Sequence, residues 1–131
     1  MDLSVVIVNL DTRDLVVACL NSLALERQSL DAEVFVVDNA STDGSVEAVR
    51  TAHPWVHVIQ NDRNLGFSRA NNVALRRTTG PLVFLLNPDT DWRAGAVETL
   101  RARRDSLADP VGGGPKVVRP YDRPPFACRR W

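Results

Sequence analysis

The sequence predicts an α/β fold, a mostly parallel sheet with helices on both faces. Short, β-branched and almost continuously apolar runs recur along the chain, the pattern of strands covered on both sides rather than half-exposed. The intervals between them carry apolar residues at helical spacing, and alternating strands and helices joined by right-handed crossovers give a parallel sheet. At 131 residues, 44% apolar and 24% charged, the chain is of one-domain size and can bury a core.

The elements follow in order. Leu3 to Val8 is the first strand. Asp11-Thr12 can cap a helix in which Leu15, Val16, Cys19, Leu20 and Leu23 recur, ending between Glu26 and Gln28. Glu33 to Val37 is the second strand. Ser41-Thr42-Asp43-Gly44 starts a helix bearing Val46 and Val49 that stops by Pro54, and Val56 to Ile59 is strand three. Gly66 to Arg77 is helical, with Ala70, Val73 and Ala74 on one side, and Thr78-Thr79-Gly80-Pro81 breaks it. Leu82 to Leu86 is the most apolar strand, and Asn87 to Asp91 caps a further helix running to about Leu107. Beyond Pro110 the composition changes to a glycine run, one short strand around Lys116-Val117-Val118, and prolines. Residues 1–118 read as one α/β domain, and 119–131 as an irregular tail or the start of a further half.

Sixteen Lys and Arg balance sixteen Asp and Glu, so no global basic field collects nucleic acid. No segment approaches the ~20 apolar residues of a transmembrane helix, and the N-terminus lacks the pattern of a signal peptide, which together predict a cytoplasmic protein, at most at the inner face of a membrane. Cys19 and Cys128 lack metal-ligand spacing; Cys19 falls on an apolar helix face and reads as a buried free thiol. His53 and His57 read as surface or packing histidines, and Trp55 and Trp92 as packing residues, with contact to a bound sugar the alternative for Trp92.

Ligands of such sheets bind beyond the carboxyl ends of the strands. Those ends are Asn9-Leu10-Asp11, Asp38-Asn39-Ala40-Ser41, Asn61 to Gly66, and Asn87-Pro88-Asp89-Thr90-Asp91. Any one of them could be a turn or helix cap, but all four fall on one rim. Asp89 and Asp91 are hard oxygen ligands that suit Mg²⁺ or Mn²⁺, which can also bridge a diphosphate. Asp38 can accept the N3–H of a uracil or thymine ring, or cap a turn. Gly66, without a Cβ, lets a ligand approach the backbone ahead of a helix start.

Four ordered blocks resemble the signatures of glycosyltransferase family 2, in its bacterial rhamnosyltransferase-like branch. They are Ser4 to Asn9, Val36 to Ser45, Asn64 to Asn72 and Leu85 to Thr90. The resemblance covers residues 3 to about 118 and implies the donor-binding, N-terminal half of a GT-A fold, truncated before the acceptor half. It further implies transfer of a sugar, rhamnose among the candidates, from a dTDP- or UDP-sugar donor to a glycan or lipid-linked acceptor, with inversion, in bacterial surface glycan synthesis. Carried over residue by residue, Val8, Asn9 and Leu10 lie against the nucleotide. Asp38 pairs with the base, Asn64 to Gly66 borders the base and ribose, and Asn71 belongs to the same donor-nucleotide site. Asp89 ligates a divalent cation, Mg²⁺ or Mn²⁺, with Asn87 in the place of the first acidic residue of the motif. Asp91, one step beyond the motif, is a helix cap first and a ligand second.

Leu10-Asp11 stands where many relatives have an aromatic residue and Asn, so a stacking ring is missing. The catalytic base is expected in the C-terminal half; Asp109 and Asp122 match no family position. A non-catalytic nucleotide-sugar-binding module is the alternative function, and a phosphoryl-transfer site at Asp89-Thr90-Asp91 is disfavoured because it follows the fourth strand rather than the first. Half a fold also leaves an apolar edge open, of the kind that drives homodimer formation.

Overall fold

The computed structural model describes residues 3–26, 31–96, 98, 99 and 102. The chain divides into two units, Met1–Trp92 and Arg93–Trp131. The first contains β1 (Leu3–Asn9), α1 (Arg13–Glu26), β2 (Ala32–Asp38), α2 (Ser45–Ala52), β3 (His57–Gln60), α3 (Phe67–Leu75) and β4 (Val83–Leu86). The short strand expected around Lys116 and most of the helix expected up to Leu107 lie outside the described residues.

The four strands are all parallel, in the order β3-β2-β1-β4. β1 and β2 run in register from Leu3 beside Ala32 to Asn9 beside Asp38, and β4 pairs Leu86 with Ile7. β1 and β2 are buried almost throughout, as central parallel strands require, whereas Val83 and Leu85 of the edge strand β4 are exposed. One face is closed by α3, whose Ala70 and Ala74 pack into a cluster with Val6, Phe35, Val37 and Ile59. Alternation turns Val5, Ile7, Val34 and Val36 to the opposite face, the side on which right-handed crossovers carry α1 and α2. α1 buries Val16, Cys19, Leu20 and Leu23; Cys19 is the expected free thiol.

β2 and β4 both flank β1, so the connections that leave the carboxyl end of β1 and those that precede β4 run in opposite directions. In such sheets this switch point, at the carboxyl ends of β1 and β4, is where ligands bind. At the opposite end, the buried Glu33 carboxylate Oε1 accepts from Ser4 Oγ at 2.6 Å, Thr79 N at 2.6 Å, Thr79 Oγ1 at 3.1 Å and Gly80 N at 3.3 Å. It staples the α3–β4 loop to β1 and β2. Burial pulls its pKa up, but these hydrogen bonds outweigh that pull and hold the carboxyl below its usual range.

Element boundaries differ from expectation by a residue or two, with one larger exception. Asn87 to Asp91 does not cap a helix. A turn closes there through Thr90 N to Asn87 O at 3.1 Å. In the second unit, helical residues begin at Ala96, after Gly95, whose φ of 76° is left-handed and whose carbonyl accepts Thr99 N at 3.1 Å. Asp91 is therefore released from capping. Among the described residues no helix is long and apolar enough to cross a membrane.

Candidate functional site

The carboxyl rim is built from polar side chains that bind one another across loops some thirty residues apart. Asn9, fully buried at the end of β1, donates through Nδ2 to Asp38 Oδ1 at 2.9 Å and to Ser41 Oγ at 3.1 Å. Its Oδ1 accepts from Thr12 Oγ1 at 2.7 Å. Asp38 also accepts Ser41 Oγ on Oδ1 at 2.6 Å and Ser41 N on Oδ2 at 2.9 Å. Three of its acceptor positions are thus taken, and the residue is 1% exposed. One acceptor position, on Oδ2, is left for a further donor. Asp38 thereby orients Ser41.

The next layer joins the β1–α1 and β2–α2 loops. Asp11 N donates to Ser41 Oγ at 2.9 Å, and Asp11 Oδ1 accepts Thr42 N at 2.7 Å. Asp43 Oδ2 accepts Arg13 N at 2.8 Å, while its Oδ1 accepts Ser45 N at 3.0 Å and a short contact from Ser45 Oγ. One carboxylate thereby caps the starts of both α1 and α2. Those amides and the hydroxyl lower the Asp43 pKa against the opposing pull of burial. Asp11 and Ala40 hold left-handed backbone, with φ of 49° and 66°. Such conformations are strained for residues with a Cβ and are stored where loops are cross-braced.

Asn39, buried beside Asp38, governs the β3–α3 loop. Its Oδ1 accepts Asn61 Nδ2 at 2.9 Å and Leu65 N at 3.4 Å, and its backbone N donates to Asn9 O at 2.9 Å. An open depression of about 370 Å³ results, lined by Ala40, Ser41, Gln60, Asn61 and Asp62. Ser41, Asn61 and Asp62 lie in strand ends named from the sequence; Gln60 was not singled out, because a strand-end Gln carries no pattern of its own.

The other sequence-derived residues take different positions. Val8 is half-buried against the α3 cluster and Leu10 is exposed on the rim. Asn64 is exposed and its Oδ1 accepts Gly66 N at 2.8 Å, forming the turn that leads into α3, where Gly66 has φ of 77°. Asn71 lies on the buried stripe of α3 with Ala70 and Ala74; its Nδ2 donates to Phe67 O at 3.0 Å and its Oδ1 has no partner among the described residues.

Asn87, Asp89 and Asp91 lie beyond β4, on the same rim as Asp38 with β1 between. At ordinary strand spacing this separates the two groups by about 10 Å. Asp89 and Asp91 are exposed and make no hydrogen bond or ion pair among the described residues. Both lie close enough to Cys19 that, after burial, their charges help push its thiol up to about 11. Two unengaged carboxylates on one loop fit a hard divalent cation whose remaining ligands are phosphate oxygens and water. They do not make a cage alone: among the described residues no three His, Cys, Asp or Glu gather into a metal site.

The family model described as Glycosyl transferase family 2 matches residues 4–120. Among solved structures, Staphylococcus aureus TarS 1–349 in complex with UDP is 28% identical, with a TM-score of 0.71 over 80% of this chain and 32% of that one. The mannosyltransferase PcManGT from Pyrobaculum calidifontis, in complex with GDP-Man and Mn²⁺, is 31% identical, with a TM-score of 0.66 over 82% of this chain and 32% of that one. An N-acetylglucosaminyl-diphospho-decaprenol L-rhamnosyltransferase of Mycobacterium tuberculosis is 30% identical over 90 residues, 60% of this chain and 28% of the relative. The chain spans about a third of the length of these relatives.

Proposed function

This chain belongs to glycosyltransferase family 2, and on that premise we propose that its carboxyl rim holds the nucleoside diphosphate of a sugar donor during transfer to an acceptor hydroxyl. The observation that carries the reading is the shared rim: a braced polar depression at the ends of β2 and β3 and two unengaged carboxylates after β4, on either side of β1. The depression lined by Ser41, Gln60 and Asn61 takes the base. Asn9 and Asp38 act on it through Ser41, and Asn64 to Gly66 forms the wall beside the ribose. Val8 and Leu10 border the nucleotide from β1, and Asn71 supports that wall from within α3.

Asp89, with Asp91 and Asn87 beside it, holds Mg²⁺ or Mn²⁺ against the diphosphate. When bound, the cation supplies Lewis-acid neutralisation of charge on the leaving diphosphate. Inverting displacement also needs a carboxylate to take the acceptor proton. None of the rim residues has that role, and it belongs with the acceptor-binding half of the longer relatives. A dTDP- or UDP-sugar, rhamnose in particular, is the donor read from the likeness to the UDP complex and to the rhamnosyltransferase, with a lipid-linked or glycan acceptor in surface glycan synthesis.

Calorimetry with UDP, dTDP and GDP, each with and without Mn²⁺, tests this reading. Preference for the pyrimidine diphosphates, strengthened by Mn²⁺ and no longer strengthened in Asp89→Ala, is the expected result. Equal binding of all three nucleotides overturns the base choice, and unchanged cation dependence in Asp89→Ala overturns the ligand. Binding without sugar transfer assigns the chain to the class of nucleotide-sugar-binding modules.

A further inference from the structure

The residues that hold the cation loop in place are not the ones that carry its charge. The chain leaves β4 at Leu86, turns at Asn87 to Thr90, and does not enter a helix before Ala96. Asp89 and Asp91 therefore sit on a stretch with no strand ladder or helix of its own. Trp92, the next residue, ties that stretch to the fold. Its backbone N donates to Ser22 Oγ at 2.9 Å, and its indole meets Phe84 edge-on, with ring centroids 6.0 Å apart at 76°. The indole Nε1 is buried without a partner among the described residues, so the ring packs but gives no directional tie. The directional tie is Ser22.

Ser22 is set up for it. Its hydroxyl proton goes back to the Cys19 carbonyl at 2.7 Å, which leaves the oxygen lone pairs for the incoming Trp92 amide. A serine bonding back along its own helix gives that helix nothing and slightly weakens it. Cys19, one turn earlier on α1, is almost fully buried, so the carbonyl that takes the Ser22 proton is held fast by the core.

We propose that Ser22 is a positioning residue for cation binding: through the Trp92 amide it fixes where the Asp89 and Asp91 carboxylates stand relative to the rim. This rests on the reading of Asp89 as a cation ligand. Small hard cations tolerate little error in ligand placement, and loss of a partner bonded directly to a ligand costs 10–100-fold in metal affinity; Ser22, bonded one residue beyond Asp91, sits at the low end of that range.

The test titrates Mn²⁺ into the full chain at saturating UDP, and UDP into the full chain without cation, for wild type, Ser22→Ala, Ser22→Thr and Ser22→Cys. Thermal midpoints without ligand accompany each titration. In Ser22→Ala the apparent Mn²⁺ affinity falls about tenfold, cation-free UDP affinity stays at the wild-type value, and the chain remains folded. Ser22→Thr, which keeps a hydroxyl, restores Mn²⁺ affinity; Ser22→Cys, a weak acceptor, lies between. Wild-type Mn²⁺ affinity in Ser22→Ala overturns the inference, and so does an equal loss of UDP binding with and without cation, which marks a general structural role. Absence of any Mn²⁺ effect in the wild type overturns the cation reading itself, a failure recognisable because Asp89→Ala then matches wild type too.

Discussion

Asn9 and Asp38 are register partners at the carboxyl ends of β1 and β2, and their side chains close the pair through Nδ2 and Oδ1 at 2.9 Å. Both are buried, so the bond forms where an unpaired amide or carboxylate is costly. Asn9→Ala leaves Asp38, Ser41 and Thr12 each short of a partner. A loss of about 2–3 kcal/mol in urea denaturation is expected, with weaker nucleotide binding. Asn9→Asp is worse still, because it sets two carboxylates side by side. A loss under about 0.5 kcal/mol refutes the buried network.

Glu33 makes the opposite end of the sheet sensitive to strong acid. Its folded-state pKa lies below the ordinary glutamate value of 4.5, so its contribution to stability is complete above that value and drains away as pH falls through the lower folded value. Glu33→Gln keeps the shape and removes the charge. Its thermal midpoint below pH 4 should fall less with acidification than the wild type's, and at pH 7 the variant should be about 1–3 kcal/mol less stable. Parallel acid profiles for the two proteins exclude the staple.

His53 acts in a milder range. It is buried at the end of α2, stacked edge-on with Trp55 at 5.6 Å, and Nε2 has no partner among the described residues. Burial lowers its pKa from 6.5, partly offset by the Val17 carbonyl. The unfolded chain takes up this proton first, so stability is full above pH 6.5 and declines as pH falls toward the folded value. His53→Phe should flatten the stability profile between pH 5 and about 7; a profile identical to wild type there assigns the dependence elsewhere.

Gly80 approaches β1 so closely that an added Cβ would stand 2.7 Å from Ser4 Oγ and 2.9 Å from Ser4 N and the Leu3 carbonyl carbon. Two of these three are backbone atoms and cannot turn aside. Gly80→Ala should cost about 1–3 kcal/mol in chemical denaturation and disturb the Glu33 staple. A neutral substitution means that the α3–β4 loop stands farther from β1.

The sequence made the sheet and its rim readable because parallel strands advertise themselves as apolar runs and chain order then fixes which ends share an edge. Val36 to Asp38 and Leu82 to Leu86 needed nothing more. The buried thiol at Cys19 and the packing role of Trp92 followed from helical spacing and ring size. What stayed hidden were contacts between residues of ordinary type at large separation. Nothing in Asp43 announces that it meets Arg13, and Glu33 reads as a strand residue until Ser4 and Thr79 are brought beside it. Asp91 read as a helix cap because Asp before a periodic run is the usual cap signal; the left-handed Gly95 took that place. The neighbours of Asp38 along the chain likewise do not disclose that Asn9 and Ser41 bind its carboxylate.

Asp43, gripping the first amides of two separate helices, makes a mechanical linkage of the rim. A molecule that presses on the Ala40 turn also loads the root of α1, the helix that farther along carries Ser22 and bears on the Asp89 loop. Asp43→Ala would therefore loosen the starts of both helices together.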